Sequence, residues 1–361
     1  MIETISMGKA MTTRRKAVWV MPALGLAVLA GFALAVIIGP LSVSLRDLGH
    51  ILLTAIGIEP AQMVDATLRS IVLDLRFPRA LGALSIGVLL ATGGATMQGL
   101  FRNPLADPGL IGVSSGAALA AASFIVFGGR IPGLPSGLRY YAMPMAAFLG
   151  GLVVVLLIQR LAARGGRTDV ATMLLAGIAV TAIVMAGIGL LTFVSDDSQL
   201  RSITFWSLGS LGGVGWPAVA VLAPGAVVTL WISLRFADVL DGLMLGEREA
   251  YSLGFDVERA KCLMILTVAA GVGAAVAFTG LIGFVGIIAP HMIRLVLGSS
   301  HRSLLIGSAL LGGLSLMLAD TVCRVIVAPA ELPIGIVTSL VGAPFFLVLL
   351  LRQGRGEARA L

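Results

Sequence analysis

Charge is scarce in this 361-residue chain. Asp, Glu, Lys and Arg make up 12% of it, against about 25% in an ordinary soluble domain. Lysine occurs only at Lys9, Lys16 and Lys261, so the net charge of +7 forms no polybasic patch and does not imply nucleic acid. The two cysteines, Cys262 and Cys323, lie in apolar helix-like sequence outside any CxxC, which excludes a disulfide framework and a thiolate metal site. No GxxxxGK[ST] is present and no lysine follows a glycine-rich loop, so the chain cannot cradle nucleotide phosphates. Any ATP that drives it must sit on another chain. The interiors of the long apolar runs contain no carboxylate, and Asp320 stands near the end of one. That argues against a proton- or sodium-driven carrier, the main alternative class. No Ser-His-Asp or paired-carboxylate arrangement points to an intramembrane enzyme. Of three histidines, His50 and His301 are expected in loops and His291 in a turn beside Pro290, a placement without the facing pair that bound haem requires.

What is abundant is apolar sequence. The chain is 58% hydrophobic with 46 glycines and a mean hydropathy of +1.03. Its apolar runs do not alternate with polar residues as barrel strands do. The expected fold is an all-α polytopic membrane protein with small residues at its helix contacts. Spans are expected over 17–40, 78–100, 110–127, 140–161, 171–193, 216–234, 262–279, a short one to 297, 304–326 and 334–351. Basic clusters at Arg14-Arg15-Lys16, at Arg160, Arg164 and Arg167, and at Arg352, Arg355 and Arg359 mark the cytoplasmic side. About ten transmembrane helices with both termini cytoplasmic satisfy all three clusters. Residues 41–75 form an external segment of short helices. Residues 195–215 form another, with a short helix near 202–208. Residues 235–261 are the one large charged cytoplasmic segment.

The most structured stretch is 76–116. Arg76 and Arg79 open an uncharged run in which Ala91, Ala95 and Gly99 recur every fourth position. Gly112, Gly116 and Ala120 repeat the pattern after Asn103-Pro104-Leu105-Ala106-Asp107-Pro108-Gly109. The prolines and glycine break the helix, and the small faces suit close packing in lipid. The stretch reads as a helical hairpin inside a bundle.

Arg76-Phe-Pro-Arg79, Met97-Gln98-Gly99, Asn103 to Gly109, Leu175-Ala176-Gly177, Phe205-Trp206, the glycine-rich run from Gly280, Pro290-His291, Ala319-Asp320 and Glu331-Leu-Pro-Ile-Gly335 resemble, in order, the permease subunits of ABC importers for iron-siderophores, haem and cobalamin. The resemblance covers nearly the whole chain. It implies a single permease domain of two five-helix halves, working as a homodimer with two ATP-binding cassette ATPase subunits and a periplasmic solute-binding protein. No permanently bound cofactor is implied, and ATP resides on the partner. Arg76, Arg79 and Arg324 match external arginines that receive carboxylates of the binding protein. Leu245, Gly246, Glu247, Arg248, Glu249, Ala250 and Gly254 match the coupling segment that enters the ATPase. The 195–215 segment corresponds to an external gate, with Gln199, Phe205, Trp206 and Gly177 expected along the path. The run from Asp196 to Leu211 leans toward haem as cargo, with a ferric siderophore or cobalamin as the alternative.

Overall fold

The computed structural model describes the backbone of residues 2–357 except 42, 56, 57, 59–64, 131–134 and 165–166. It describes side chains over 17–351 apart from those positions and 52, 130, 136, 137, 164, 167 and 350. The three basic clusters used above for orientation, Arg160 excepted, therefore lie outside the described side chains.

The described residues are helical almost throughout. Fifteen α-helices follow one another: α1 (Ile2–Ile37), α2 (Leu45–Ala55), α3 (Ala66–Ser70), α4 (Phe77–Leu100), α5 (Val113–Phe127), α6 (Ser136–Ala162), α7 (Val170–Phe193), α8 (Asp197–Leu208), α9 (Trp216–Arg235), α10 (Ala237–Leu245), α11 (Glu247–Ser252), α12 (Val257–Thr279), α13 (Val285–Leu297), α14 (His301–Val325) and α15 (Ile334–Glu357). The one departure among the described residues is a two-residue antiparallel ladder, Ala163–Arg164 with Arg167–Thr168, between α6 and α7. Seven helices are long and apolar enough to span a bilayer, and α5, α13 and α15 are shorter apolar ones. Together they are the ten runs expected from sequence. The 13 residues of α13 rise only about 20 Å against a hydrocarbon core of about 30 Å, so this segment needs the unwound stretch 280–284 to complete its crossing.

Side-chain contacts fix the antiparallel order. At one end Trp216 Nε1 donates to the Leu73 carbonyl and Tyr140 donates to that of Gly213, while Arg79 meets Asp320 and Glu331. At the other, Lys261 meets Glu247 and Glu258, and His301 meets Asp241. The first end is external and the second cytoplasmic in the expected orientation.

The hub is α4. Its most apolar stretch is 83% buried, against 17% for α7, and α14, α9, α13, α12 and α10 all pack on it. Small residues explain the closeness. A Cβ on Gly87 would collide with the Gly312–Gly313 backbone, and one on Gly94 with the Gly286 carbonyl. Here the structure refines the hairpin reading. The small faces of α4 and α5 serve different partners: α4 lies on α13 and α14, whereas α5 packs on α6 through Gly116 and Gly150. The turn between them is held by Asx bonds, Leu105 N–H to Asn103 Oδ1 and Gly109 N–H to Asp107 Oδ1, which the prolines alone would not supply.

The helix of α4 also begins earlier than expected. Residues Ile71–Arg76 form a π turn running from α3 directly into α4. Pro78 cannot donate to the turn before it and its ring crowds that turn, and a widened turn accommodates both. The short external helix also starts earlier than 202. Asp196 and Gln199 form a reciprocal capping box that opens α8 at Asp197.

Candidate docking, gate and coupling sites

Arg76 and Arg324 are 6% and 5% exposed, and both guanidinium groups point at the end of α1. Arg76 donates to the carbonyls of Val36, Ile37 and Leu41. Arg324 donates to that of Ala35. The last carbonyls of a helix have no partner within it, and two buried cations satisfy them here. Asp320, 2% exposed, sits between Arg324 on its own helix, 3.2 Å away, and Arg79 on α4, 2.9 Å away. Arg79 then bridges outward to Glu331, 2.7 Å away and 44% exposed. The guanidinium of Arg79 holds the Glu331 carboxyl below the usual glutamate range.

Asp320 and Arg324 thus pair at i, i+4 on one helix. The three arginines are internally committed rather than displayed as loose surface charges, and only the Arg79–Glu331 edge reaches solvent. Arg76, Arg79, Arg324, Glu331 and the loop 212–215 line a cavity of about 520 Å³ at this external end.

Beside it, backbone contacts knit three segments together. Ser210 N–H donates to the Thr279 carbonyl and Ile334 N–H to that of Gly209. This ties the end of α8 to the bend after α12 and to the start of α15. Trp206 is half-buried, with its indole Nε1 enclosed and without a partner. Phe205 is 63% exposed. Gln199 is occupied by its capping box and by the Val126 carbonyl, 3.2 Å away. Gly177 is buried against the Leu110 carbonyl, where it permits close helix packing. Of the four residues expected along the path, Phe205 presents a free side chain, and Gly177 is buried within the chain where α7 meets Leu110.

At the cytoplasmic end, α10 and α11 form a bent arm. The bend is Gly246, at φ 137°, a conformation that favours glycine. Leu245, Arg248, Glu249 and Gly254 are exposed along the arm, while Ala250 and Gly246 are buried. Glu247 turns back to Lys261, 2.8 Å away. Asp241 on α10 accepts from the His301 backbone N–H at 3.0 Å and pairs with His301 Nδ1 at 2.6 Å. His301, expected in a loop, is the first residue of α14 and 1% exposed. His50 likewise belongs to α2, and His291 to α13, with its ring against Phe345.

Reasoning from sequence did not find Lys261 or the Asp241–His301 pair. The available signal was the isolation of Lys261, a lone cation entering a long apolar run three residues after Glu258.

A model of the FecCD transport family matches residues 26–352. The chain belongs to the FecCD transport family. Among curated relatives it is 47% identical over 281 residues to the hemin transport system permease protein HmuU of Yersinia pestis, covering 78% of this chain and 83% of that one. It is 42% identical over 298 residues to the cobalamin import system permease protein BtuC of Halobacterium salinarum, covering 82% and 77%. Among solved structures, a transporter described as of the metal-chelate ABC type, in an inward-facing conformation, superposes with a TM-score of 0.79 at 31% identity, covering 92% of this chain and 98% of that one. The PsaBC complex of Streptococcus pneumoniae shares the fold alone, at a TM-score of 0.51 and 16% identity. This FecCD chain is thus a multi-pass importer permease of the ABC type. Its two candidate sites are the arginine-bordered external cavity and the α10–α11 arm.

Proposed function

We propose that this chain moves haem inward across the membrane as a homodimer. It is energised by two ATP-binding cassette ATPase subunits at the α10–α11 arm and supplied by a periplasmic solute-binding protein at the external face. The observation that carries the cargo is the 47% identity to a hemin permease over most of both chains. The partners rest on the arm, where Leu245, Arg248 and Glu249 project outward from a bent helix pair that is polar-tethered to the bundle. The binding protein docks over Arg79 and Glu331, where its carboxylates compete with Glu331 for the guanidinium. Arg76 and Arg324 support that site by holding α1 and α14 in place. Phe205 and Trp206 form the external gate.

The test is uptake by vesicles containing the chain, its ATPase and a binding protein, loaded in turn with haem, a ferric siderophore and cobalamin. ATP-dependent accumulation of haem alone is expected. Accumulation of one of the others instead overturns the cargo. Uphill uptake without any ATPase overturns the partnership and makes the chain a secondary carrier.

A further inference from the structure

Lys261 is the largest fully buried side chain in the described residues, at 1% exposure, and it is cationic. Burying an ammonium costs several kcal/mol unless it is paired and hydrogen-bonded. The partners found here come from separate cytoplasmic elements. Glu247 Oε1 belongs to the coupling helix α11 and lies 2.8 Å away. Glu258 Oε1 stands one turn earlier on α12 itself, at 3.1 Å. The Thr168 carbonyl belongs to the α6–α7 ladder, at 3.3 Å. Glu258 closes the arrangement by accepting from the Thr168 backbone N–H at 2.9 Å. Tyr251 of α11 also reaches Glu258, at 3.4 Å.

We infer that Lys261 is the positioning residue through which displacement of the coupling helix is passed to the spans α12, α6 and α7. Three elements meet on one short ammonium, and its burial removes the competing water that would let a surface pair slip. The arm has a second tether farther back, Asp241 to His301 at the head of α14, so α10–α11 is fastened at both ends and moves as a lever. Without the Lys261 tether, α11 remains joined to α12 by the short loop 253–256 and by the long Tyr251–Glu258 contact at 3.4 Å. The exposed Gly254 in that loop, at φ 86°, is a natural point of slack.

The inference rests on the reading of α11 as the ATPase-contacting helix, so the experiment separates the two. The full complex is reconstituted in vesicles. Arg248→Cys, on the exposed face of α11, is first tested for crosslinking to the ATPase. Failure to crosslink overturns the reading of α11, and the inference with it.

With that contact established, K261M is compared with the unaltered chain for ATPase binding, ATP hydrolysis and cargo carried per ATP. The expected result is normal assembly with cargo per ATP reduced roughly tenfold. Partial recovery is expected in the swap K261E/E247K, which restores the opposite-charge contact between α11 and α12. Unchanged cargo per ATP in K261M overturns the inference. If K261M does not assemble, E247Q, altered at a one-third-exposed position, gives the same readout. Equal losses of hydrolysis and transport in E247Q, with cargo per ATP unchanged, overturn the inference equally.

Discussion

Arg79 on α4 lies astride Asp320 on α14. Its Nε is 3.1 Å from both carboxylate oxygens and its Nη2 is 2.9 Å from Oδ1, across 241 residues of chain. Asp320 also receives Arg324, so one buried carboxylate is shared by two guanidinium groups. Its replacement by asparagine leaves Arg324 without a carboxylate and Arg79 with Glu331 alone. Breaking a buried ionic pair by removing one partner costs about 3–5 kcal/mol. Thermal unfolding of D320N in detergent or nanodiscs should show a clear fall in Tm. A Tm equal to that of the unaltered chain would show that the pair holds nothing.

The same cluster responds to acid. Arg79 holds the Glu331 carboxyl below the ordinary glutamate range. A depressed acid stabilises the folded state above its unfolded value, and the contribution fades as pH falls through the depressed value. The relative stability of the unaltered chain over E331Q should therefore be constant near neutrality and shrink below about pH 4.5, the ordinary glutamate region. Tm measured against pH for both proteins checks this. Because Glu331 is half exposed, the difference is modest.

Docking can be separated from folding at Arg79. Charge reversal, Arg79→Glu, removes the guanidinium expected to receive the binding protein and should weaken docking roughly tenfold or more. D320N disturbs the same cluster without removing Arg79. If D320N weakens docking as much as R79E does, the arginine acts by supporting the external face and not by meeting the partner.

Close helix contact is tested at Gly94, where a Cβ collides with the Gly286 carbonyl. Backbone cannot yield as a flexible side chain does, and overpacking of this kind costs about 1–3 kcal/mol or more. G94A should lower both Tm and the yield of folded protein. Gly225 on α9 has nothing within 4 Å of the same position, so G225A should be neutral in the same assay.

Much of the bundle was legible in the residues. Each apolar run became a helix at nearly the expected place, because in a bilayer an unpaired backbone has no water to turn to. Breaks at Pro104 and Pro108 and at Gly280 were equally readable, since those residues cannot continue a helix or can leave it freely. The α10–α11 arm was visible as the one large charged cytoplasmic segment, 235–261. What was not readable was which charges are turned inward. Glu247 and Glu249 are two residues apart on one short helix, yet one pairs with Lys261 and the other faces solvent. Gln199 stands three residues after Asp196 in a capping-box pattern, and only the structure shows that its side chain is spent there and on the Val126 carbonyl.

Composition and order along the chain determined the number of spans, their alternating direction and the absence of a nucleotide site, because each of these follows from local hydropathy and local motif. The tertiary structure decided what the rare charges do. Arg76 and Arg324 complete the end of α1, Asp320 joins α4 to α14, and Lys261 joins α11 to α12 and the α6–α7 ladder. Those partners come from distant parts of the chain, and for Arg79 and Asp320 it is the close packing of α4 on α14 at Gly87 that brings the buried charge to its counterpart.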